Sequence, residues 1–161
     1  MAETVYCVDT SSLIQLRGWR PPRSHPLAWR RLDTLIGAKR LVAPWKVFEE
    51  LKQQDDALFH WVQRRKKMFR KNSRGLIETV QHILTQFPDL VDINQPTESA
   101  DPFVVALAYK EIRDELFPPD IVVVTEEKYA TGKTRIPHVC QAYGLRYLSV
   151  HQMFLFEKWD F

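Results

Sequence analysis

The sequence predicts an α/β protein, a three-layer α/β/α sandwich around a central parallel sheet of four to five short strands. Short apolar segments alternate along the chain with segments of helical periodicity. The segments at residues 4–8 and 121–124 are too continuously apolar for strands with one face in water. Strands covered on both faces belong to parallel sheets between helical layers. A chain of 161 residues suits one such domain, so residues 1–161 are expected to form a single domain.

Residue type and spacing place the individual elements. Strands are predicted where β-branched or other apolar residues run without a break, at residues 4–8, 41–43, 121–124 and 146–148. Helices are predicted where apolar residues recur at helical spacing, at residues 12–16, 24–37, 44–51, 55–69, 73–87, 100–116, 137–143 and 150–159. Ser24 and Pro44 are expected to open helices, and Gly37 and Gly144 to end them.

The connecting segments carry proline, glycine and polar residues. Loops are predicted at residues 17–23, 88–99 and 129–135. Residues 68–71 suit either the end of a helix or a short edge strand. The segment from Met153 to Trp159 has more apolar surface than one helix face can hide, which favours contact with a second copy or another partner.

The composition excludes some classes of protein. Apolar residues make up 45% of the chain, and no apolar run approaches the roughly 20 residues that span a bilayer, so no membrane association is expected. The N-terminus lacks the basic start and apolar stretch of a secretory signal. Cys7 and Cys140 form no recognisable metal or disulfide framework, so both thiols are expected in the core of a cytoplasmic protein.

Acidic residues follow the predicted strands. They are Asp9 after the first strand, Glu49 and Glu50 in the helix after the second, and Glu126 and Glu127 after the strand at 121–124. In open α/β sheets, the crevice beyond the carboxyl ends of the strands is where ligands bind. Asp101 joins this group if the loop before it leads to the crevice. The simpler interpretation of Asp9 is a helix cap.

Converging carboxylates need a cation or protons. At about 5 Å and an effective dielectric constant of ~20, each like-charged pair costs roughly 3 kcal/mol. Oxygen ligands without cysteine or histidine suit Mg²⁺ or Mn²⁺ better than zinc. Such an ion beside a phosphodiester supports hydrolysis.

A basic run lies between Glu50 and Asp101 in the sequence. It contains Arg64, Arg65, Lys66, Lys67, Arg70, Lys71 and Arg74. A basic rim beside an acidic pocket suits a polyanion, whose phosphates bind lysine and arginine. A solvated helix face is the alternative explanation. Tyr129, Trp45 and Trp61 are candidates for stacking on unpaired bases, although core packing is favoured for the two tryptophans.

Four motifs together resemble those of PIN-domain nucleases, many of which are toxins of prokaryotic toxin-antitoxin modules. The motifs are Val8-Asp9-Thr10-Ser11-Ser12-Leu13-Ile14, Pro44-Trp45-Lys46-Val47-Phe48-Glu49-Glu50-Leu51, Ala100-Asp101-Pro102-Phe103-Val104-Val105-Ala106-Leu107-Ala108 and Val124-Thr125-Glu126-Glu127. They occur in the family's order and span nearly the whole chain.

The resemblance implies a site and a set of partners. Asp9, Glu50 and Asp101 match the metal-binding acids of the family. Glu127 stands where the family commonly has an aspartate, and Glu126 is the alternative fourth acid. Ser11 stands where the family often has Asn or Ser near the metal water. The resemblance also implies Mg²⁺ or Mn²⁺ as cofactor, RNA as the usual substrate, frequent homodimers and, in toxin members, a cognate antitoxin.

Three hypotheses follow. The first is a metal-dependent endoribonuclease in which Asp9, Glu50, Asp101 and Glu127 hold the ion. The second is a PIN-like module that binds RNA or a partner protein without cutting. The third is a phosphoacceptor domain using Asp9, for which an acidic pair before the acceptor strand is missing.

Overall fold

A five-stranded, all-parallel sheet forms the centre of the protein in a computed structural model that describes residues 3–91, 99–129 and 131–160. The strands are β1 (Thr4–Val8), β2 (Leu41–Pro44), β3 (Phe69–Arg70), β4 (Asp120–Val124) and β5 (Arg146–Leu148). The helices are α1 (Thr10–Trp19), α2 (Pro26–Gly37), α3 (Trp45–Gln54), α4 (Asp56–Gln63), α5 (Arg74–Gln86), α6 (Asp101–Arg113), α7 (Ile136–Ala142) and α8 (Val150–Phe156). The predicted three-layer α/β/α architecture is confirmed.

The strand order is β3-β2-β1-β4-β5, which makes β1 the central strand. In the register of β1 and β4, Val8 lies opposite Val124, and the backbone N–H of Asp9 continues the ladder by donating to the carbonyl of Val124 at 3.0 Å. Both strands therefore end at the same level. The residues that follow them, Asp9 and Thr125, emerge side by side at the carboxyl edge of the sheet.

The core lies on both faces of the sheet. Residues 121–124 of β4 are fully buried, and so are the seven consecutive residues 102–108 in the first two turns of α6. A helix buried on nearly all sides must pass through the protein rather than over it. The hydrogen bond from the backbone N–H of Ala100 to Glu50 holds the start of α6, and with it Asp101, at the crevice. Cys7 and Cys140 are buried free thiols, as the sequence predicts.

A polar cluster ties the last helix to the sheet. The fully buried Tyr6 donates its hydroxyl to Glu157 at the end of α8, and Arg40 Nη2 donates to the same carboxylate oxygen at 2.9 Å. Burial, followed by the hydrogen bond to Glu157, raises the pKa of Tyr6 above its usual value. The cluster anchors α8 beneath β1 and β2.

Several predicted boundaries differ from the structure. The predicted loop at 17–23 is wrong for residues 17–19, which complete α1 because the backbone N–H of Arg20 still donates to Leu16. The N-cap of α2 is His25 rather than Ser24, whose hydroxyl lies against the His25 ring at 2.9 Å instead. The helices expected to reach 116 and 159 end at Arg113 and Phe156.

The segment at 55–69 is also shorter as a helix than predicted. Helix α4 ends at Gln63, a 3₁₀ turn covers Lys66–Met68, and Phe69–Arg70 pairs with the end of β2. The edge-strand alternative for residues 68–71 is thereby confirmed. Another 3₁₀ turn occupies Pro88–Leu90 of the predicted loop at 88–99, of which residues 92–98 lie outside the described residues. Within the described ranges, no helix is long and apolar enough to cross a membrane.

Candidate functional site

Asp9 is a nearly inaccessible carboxylate at the end of the central strand. Only 2% of the residue is exposed. Its Oδ1 accepts the backbone N–H of Ser12 at 2.8 Å, so Asp9 does cap α1, and its Oδ2 accepts the Thr125 hydroxyl at 2.6 Å. Burial raises the pKa of Asp9 to about 6, and the hydrogen bonds from Thr125 and Ser12 oppose that rise. The cap function and a place in the site are therefore compatible.

Glu50 connects the starts of two helices. Its Oε1 accepts the Thr10 hydroxyl at 2.5 Å, and its Oε2 accepts the backbone N–H of Ala100, the N-cap of α6, at 3.1 Å. The neighbouring Glu49 is exposed and pairs with Lys46 at 3.7 Å on the outside of α3. Of the two adjacent glutamates, only Glu50 thus points into the crevice.

Asp101 and Glu127 form a carboxyl pair at the centre of the crevice. Asp101 is the first residue of α6, and the two side chains share a hydrogen bond, which requires that one of them hold a proton. Burial raises the pKa of Asp101 to about 8, with further contributions from the charges of Glu127, Asp9 and Glu50. The charges of the other three acids all raise the pKa of Asp101, so the four predicted acids lie within electrostatic range of Asp101 at this edge of the sheet.

Glu126 faces away from this pair. Its Oε1 accepts the backbone N–H of Val150 at 2.8 Å and so holds the start of α8, whereas Glu127 Oε2 accepts the N–H of Ile136 at 3.0 Å at the start of α7. Of the two candidates for the fourth acid, Glu127 is the one beside Asp101. The predicted substrate-binding Ser11 donates to both oxygens of Asp9 at 2.9 Å and accepts the N–H of Glu126 at 3.2 Å. Its hydroxyl therefore joins the two loops.

Two threonines complete the hydrogen bonding of the acids. Thr10 donates to Glu50, and Thr125 donates to Asp9 while its oxygen accepts the N–H of Glu127 at 3.1 Å. The sequence analysis assigned neither residue a role. Thr10 directly follows Asp9, and Thr125 directly follows the buried strand β4. These positions could have indicated that both hydroxyls lie near the acids.

The donor set suits a hard cation, but the side chains as they stand do not enclose one. The four acids offer only oxygen atoms, which Mg²⁺ and Mn²⁺ prefer. Among residues 3–91, 99–129 and 131–160, no three aspartate, glutamate, histidine or cysteine side chains are placed to hold one ion together. In the metal-free protein, burial and the charge of Glu127 raise the pKa of Asp101 to about 8 and so favour its protonated form. A divalent cation would have to displace that proton.

The basic run ends at the same edge of the sheet. Arg70 pairs with Pro44 at the end of β2, which places it two strand spacings, about 10 Å, from the end of β1. Arg70, Lys67 and Lys39 line a cavity of about 260 Å³ beside β2. Arg64, Lys66, Lys67 and Lys71 are exposed. These exposed residues are solvated, as the alternative interpretation expects, but they follow the end of α4 at Gln63 and so do not form an α-helix face.

Arg65 is the exception within the run. Its guanidinium makes a two-pronged ion pair with Asp33 of α2, lies 4.3 Å from the centre of the Trp61 ring and donates to the Trp61 carbonyl at 2.9 Å. Arg65 therefore has a structural role that the sequence did not indicate.

We expect Arg64→Ala and Arg65→Ala to differ in their effect on the stability of the protein. Both variants lose one positive charge. Because Arg65 holds α4 against α2, Arg65→Ala should lower the free energy of unfolding by about 1–2 kcal/mol, and Arg64→Ala should change it by less than about 0.5 kcal/mol. Thermal unfolding measures the difference. An equal loss in both variants would contradict the role of Arg65.

The aromatic candidates lie in different surroundings. Trp45 stacks on Phe48 with ring centres 4.4 Å apart, and Trp61 packs edge-on against Trp29 at 5.0 Å. Both tryptophans are half-buried, in keeping with core packing. Tyr129 is 54% exposed and stacks on His138.

Comparisons with known proteins identify a family and distant structural neighbours. A family model described as a domain of unknown function, DUF4411, matches residues 6–161. No curated protein matches the chain. The crystal structure of PAE2754 from Pyrobaculum aerophilum is similar at 14% identity over 88% of this chain and 98% of that chain, with a TM-score of 0.34.

Proposed function

We propose that this chain, which belongs to the DUF4411 family, is a PIN-like, metal-dependent endoribonuclease that hydrolyses RNA phosphodiester bonds. The observation that carries the proposal is the meeting of four acids at the carboxyl edge of a parallel sheet. Asp9, Glu50, Asp101 and Glu127 come from four separate parts of the chain, and burial together with mutual repulsion raises the pKa of Asp101. An arrangement that costs free energy in the metal-free protein is typical of a functional site.

Each acid has a proposed part. Asp9, Glu50, Asp101 and Glu127 would hold Mg²⁺ or Mn²⁺, and the ion would supply positive charge that stabilises the charge developing on the phosphate. Thr125 and Ser11 fix both oxygens of Asp9, and Thr10 fixes one oxygen of Glu50. Carboxylates that neighbouring hydroxyls already hold in place need to move less when the ion binds.

The basic run is the proposed path of the RNA backbone. Exposed lysines and arginines at residues 64, 66, 67 and 71, together with Arg70, would bind phosphates on one side of the crevice. Positive charge beside the acids would also draw a polyanion toward a site that by itself repels it.

A paired substitution tests the proposal. We expect Glu127→Gln to reduce Mn²⁺-dependent cleavage of single-stranded RNA by at least about 100-fold, because Glu127 adjoins Asp101. Glu49→Gln should leave the activity unchanged, because Glu49 lies on the exposed side of α3. The measurement is the cleavage of a labelled RNA with Mn²⁺ and with a chelator. Cleavage that continues in chelator, or that Glu49→Gln reduces as much as Glu127→Gln does, would contradict the assignment.

A further inference from the structure

A second cavity adjoins the acidic site. It has a volume of about 330 Å³ and lies beyond the carboxyl ends of β4 and β5. We call it the β4–β5 pocket, and its walls include Glu126, Glu127, Tyr129, Tyr147, His151 and Gln152. This volume is within the range of sites for small organic groups.

Three aromatic rings line the pocket, those of Tyr129, Tyr147 and His151, and they determine which ligands it favours. Tyr129 is 54% exposed and is held against His138 with ring centres 4.3 Å apart and planes 28° apart. His151 is exposed and stacks on Trp19 at 5.2 Å with planes 18° apart. Rings already held by a neighbour lose little further freedom when a flat ligand stacks on them. The aromatic walls therefore favour a planar ligand.

The polar groups of the pocket select among planar ligands. The carboxylates of Glu126 and Glu127 accept hydrogen bonds. The Gln152 Oε1 accepts the N–H of Ser149 at 2.9 Å, so the donors of its amide are what it can offer a ligand. Carboxylates repel phosphate but accept the amino and imino N–H groups of nucleobases. Lys128 also lines the pocket, so two carboxylates there face one ammonium group. This balance of charge favours a base over a free phosphate.

Two residues of the pocket wall also contact the acidic cluster, and they determine where a bound base would lie. Glu127 lines the pocket and is also hydrogen-bonded to Asp101, and Thr125 lines the pocket and donates to Asp9. A nucleotide in the pocket would therefore lie directly beside a phosphate at the acids.

We propose that the β4–β5 pocket binds one unpaired RNA base next to the scissile phosphate, with Tyr129 and His151 as its stacking surfaces. The inference depends on the proposed function. It predicts that the enzyme requires single-stranded RNA at the cut, because a paired base has no free face or edge to offer.

Binding to an inactive background tests this inference apart from catalysis. In full-length protein carrying Asp101→Asn, we expect Tyr129→Ala and His151→Ala each to weaken binding of a fluorescent, mixed-sequence single-stranded RNA by about 5- to 100-fold. Tyr129→Phe should keep the parent affinity because the ring remains. Phe117→Ala is the matched control, since Phe117 is an 88% exposed aromatic before the start of β4, at the opposite end of that strand from the pocket.

An RNA of the same length without bases completes the design. Its affinity should be the same for the background protein and the Tyr129→Ala and His151→Ala variants, because it has nothing to stack. If both alanine variants bind the base-containing RNA as tightly as the background, while the unsubstituted enzyme cuts RNA, the pocket inference is overturned and the proposed function stands. If the unsubstituted protein neither binds nor cuts RNA, both are overturned.

Discussion

Asp101→Asn should abolish RNA cleavage and at the same time make the metal-free protein more stable. The carboxylate is proposed to hold the ion, so its loss should reduce cleavage by more than about 100-fold. In the metal-free protein, Asp101 is half-buried beside Glu127, and the negative charges of Asp9 and Glu50 also act on it. Asparagine can still donate a hydrogen bond to Glu127 but adds no charge. Near pH 8 we expect a gain of roughly 2–4 kcal/mol in the free energy of unfolding.

Thermal unfolding and RNA cleavage measure these two effects. For a chain of this size, the gain corresponds to a rise of about 5–10 °C in Tm. Glu49→Gln is the matched control, because Glu49 lies next to Glu50 but on the exposed side of α3. It should change neither property appreciably. A destabilised Asp101→Asn protein would show that Asp101 is a structural residue, and full activity would refute its proposed role.

The carboxyl edge of the sheet could be predicted from sequence because it depends on local pattern. Continuous apolar strands require a parallel sheet, and a parallel sheet brings the ends of its strands to one edge. This reasoning placed Asp9 and Glu127 near each other, as the pairing of β1 with β4 shows. The arrival of Asp101 depended on the path of the chain before α6, which no local pattern fixes. Its role as a ligand stays a prediction.

Other features depended on contacts between distant parts of the chain. Whether Glu126 or Glu127 faces Asp101 is decided by which of them meets the start of α8 and which meets α7. The role of Arg65 required Asp33, 32 positions earlier, to lie within reach. For residues 68–71, the sequence left a helix end and a short edge strand as alternatives, and the pairing of Phe69 and Arg70 with β2 decides between them. The sequence pattern determines where helices and strands form, whereas contacts between distant segments determine which side chains meet.

The stability of the metal-free protein should fall as the pH rises from about 4 to about 8, and Asp101→Asn should reduce that fall. An unfolded aspartate has a pKa near 3.8, and in the folded protein the pKa of Asp101 is raised to about 8. Between these values the folded state holds a proton that the unfolded state has lost, so increasing pH favours unfolding. The loss is at most about 1.4 kcal/mol per pH unit for one group and ends above the folded pKa. Asp9, with a pKa of about 6, adds to it only in the lower part of this range.

The difference in Tm between Asp101→Asn and the unsubstituted protein reports on Asp101 and the acids that interact with it, because the remaining titrating residues are common to both. In chelator, the difference should grow from pH 6 to pH 8 and then level off. Mn²⁺ should act in the opposite direction, since it competes with the proton that Asp101 and Glu127 share, so it should raise the Tm of the unsubstituted protein more at pH 8 than at pH 6. A Mn²⁺ effect that is independent of pH, or equal in Asp101→Asn, would mean that the ion binds elsewhere. The proton and the cation would then not be alternative occupants of one carboxylate cluster, and the chemistry proposed for that cluster would lose its basis.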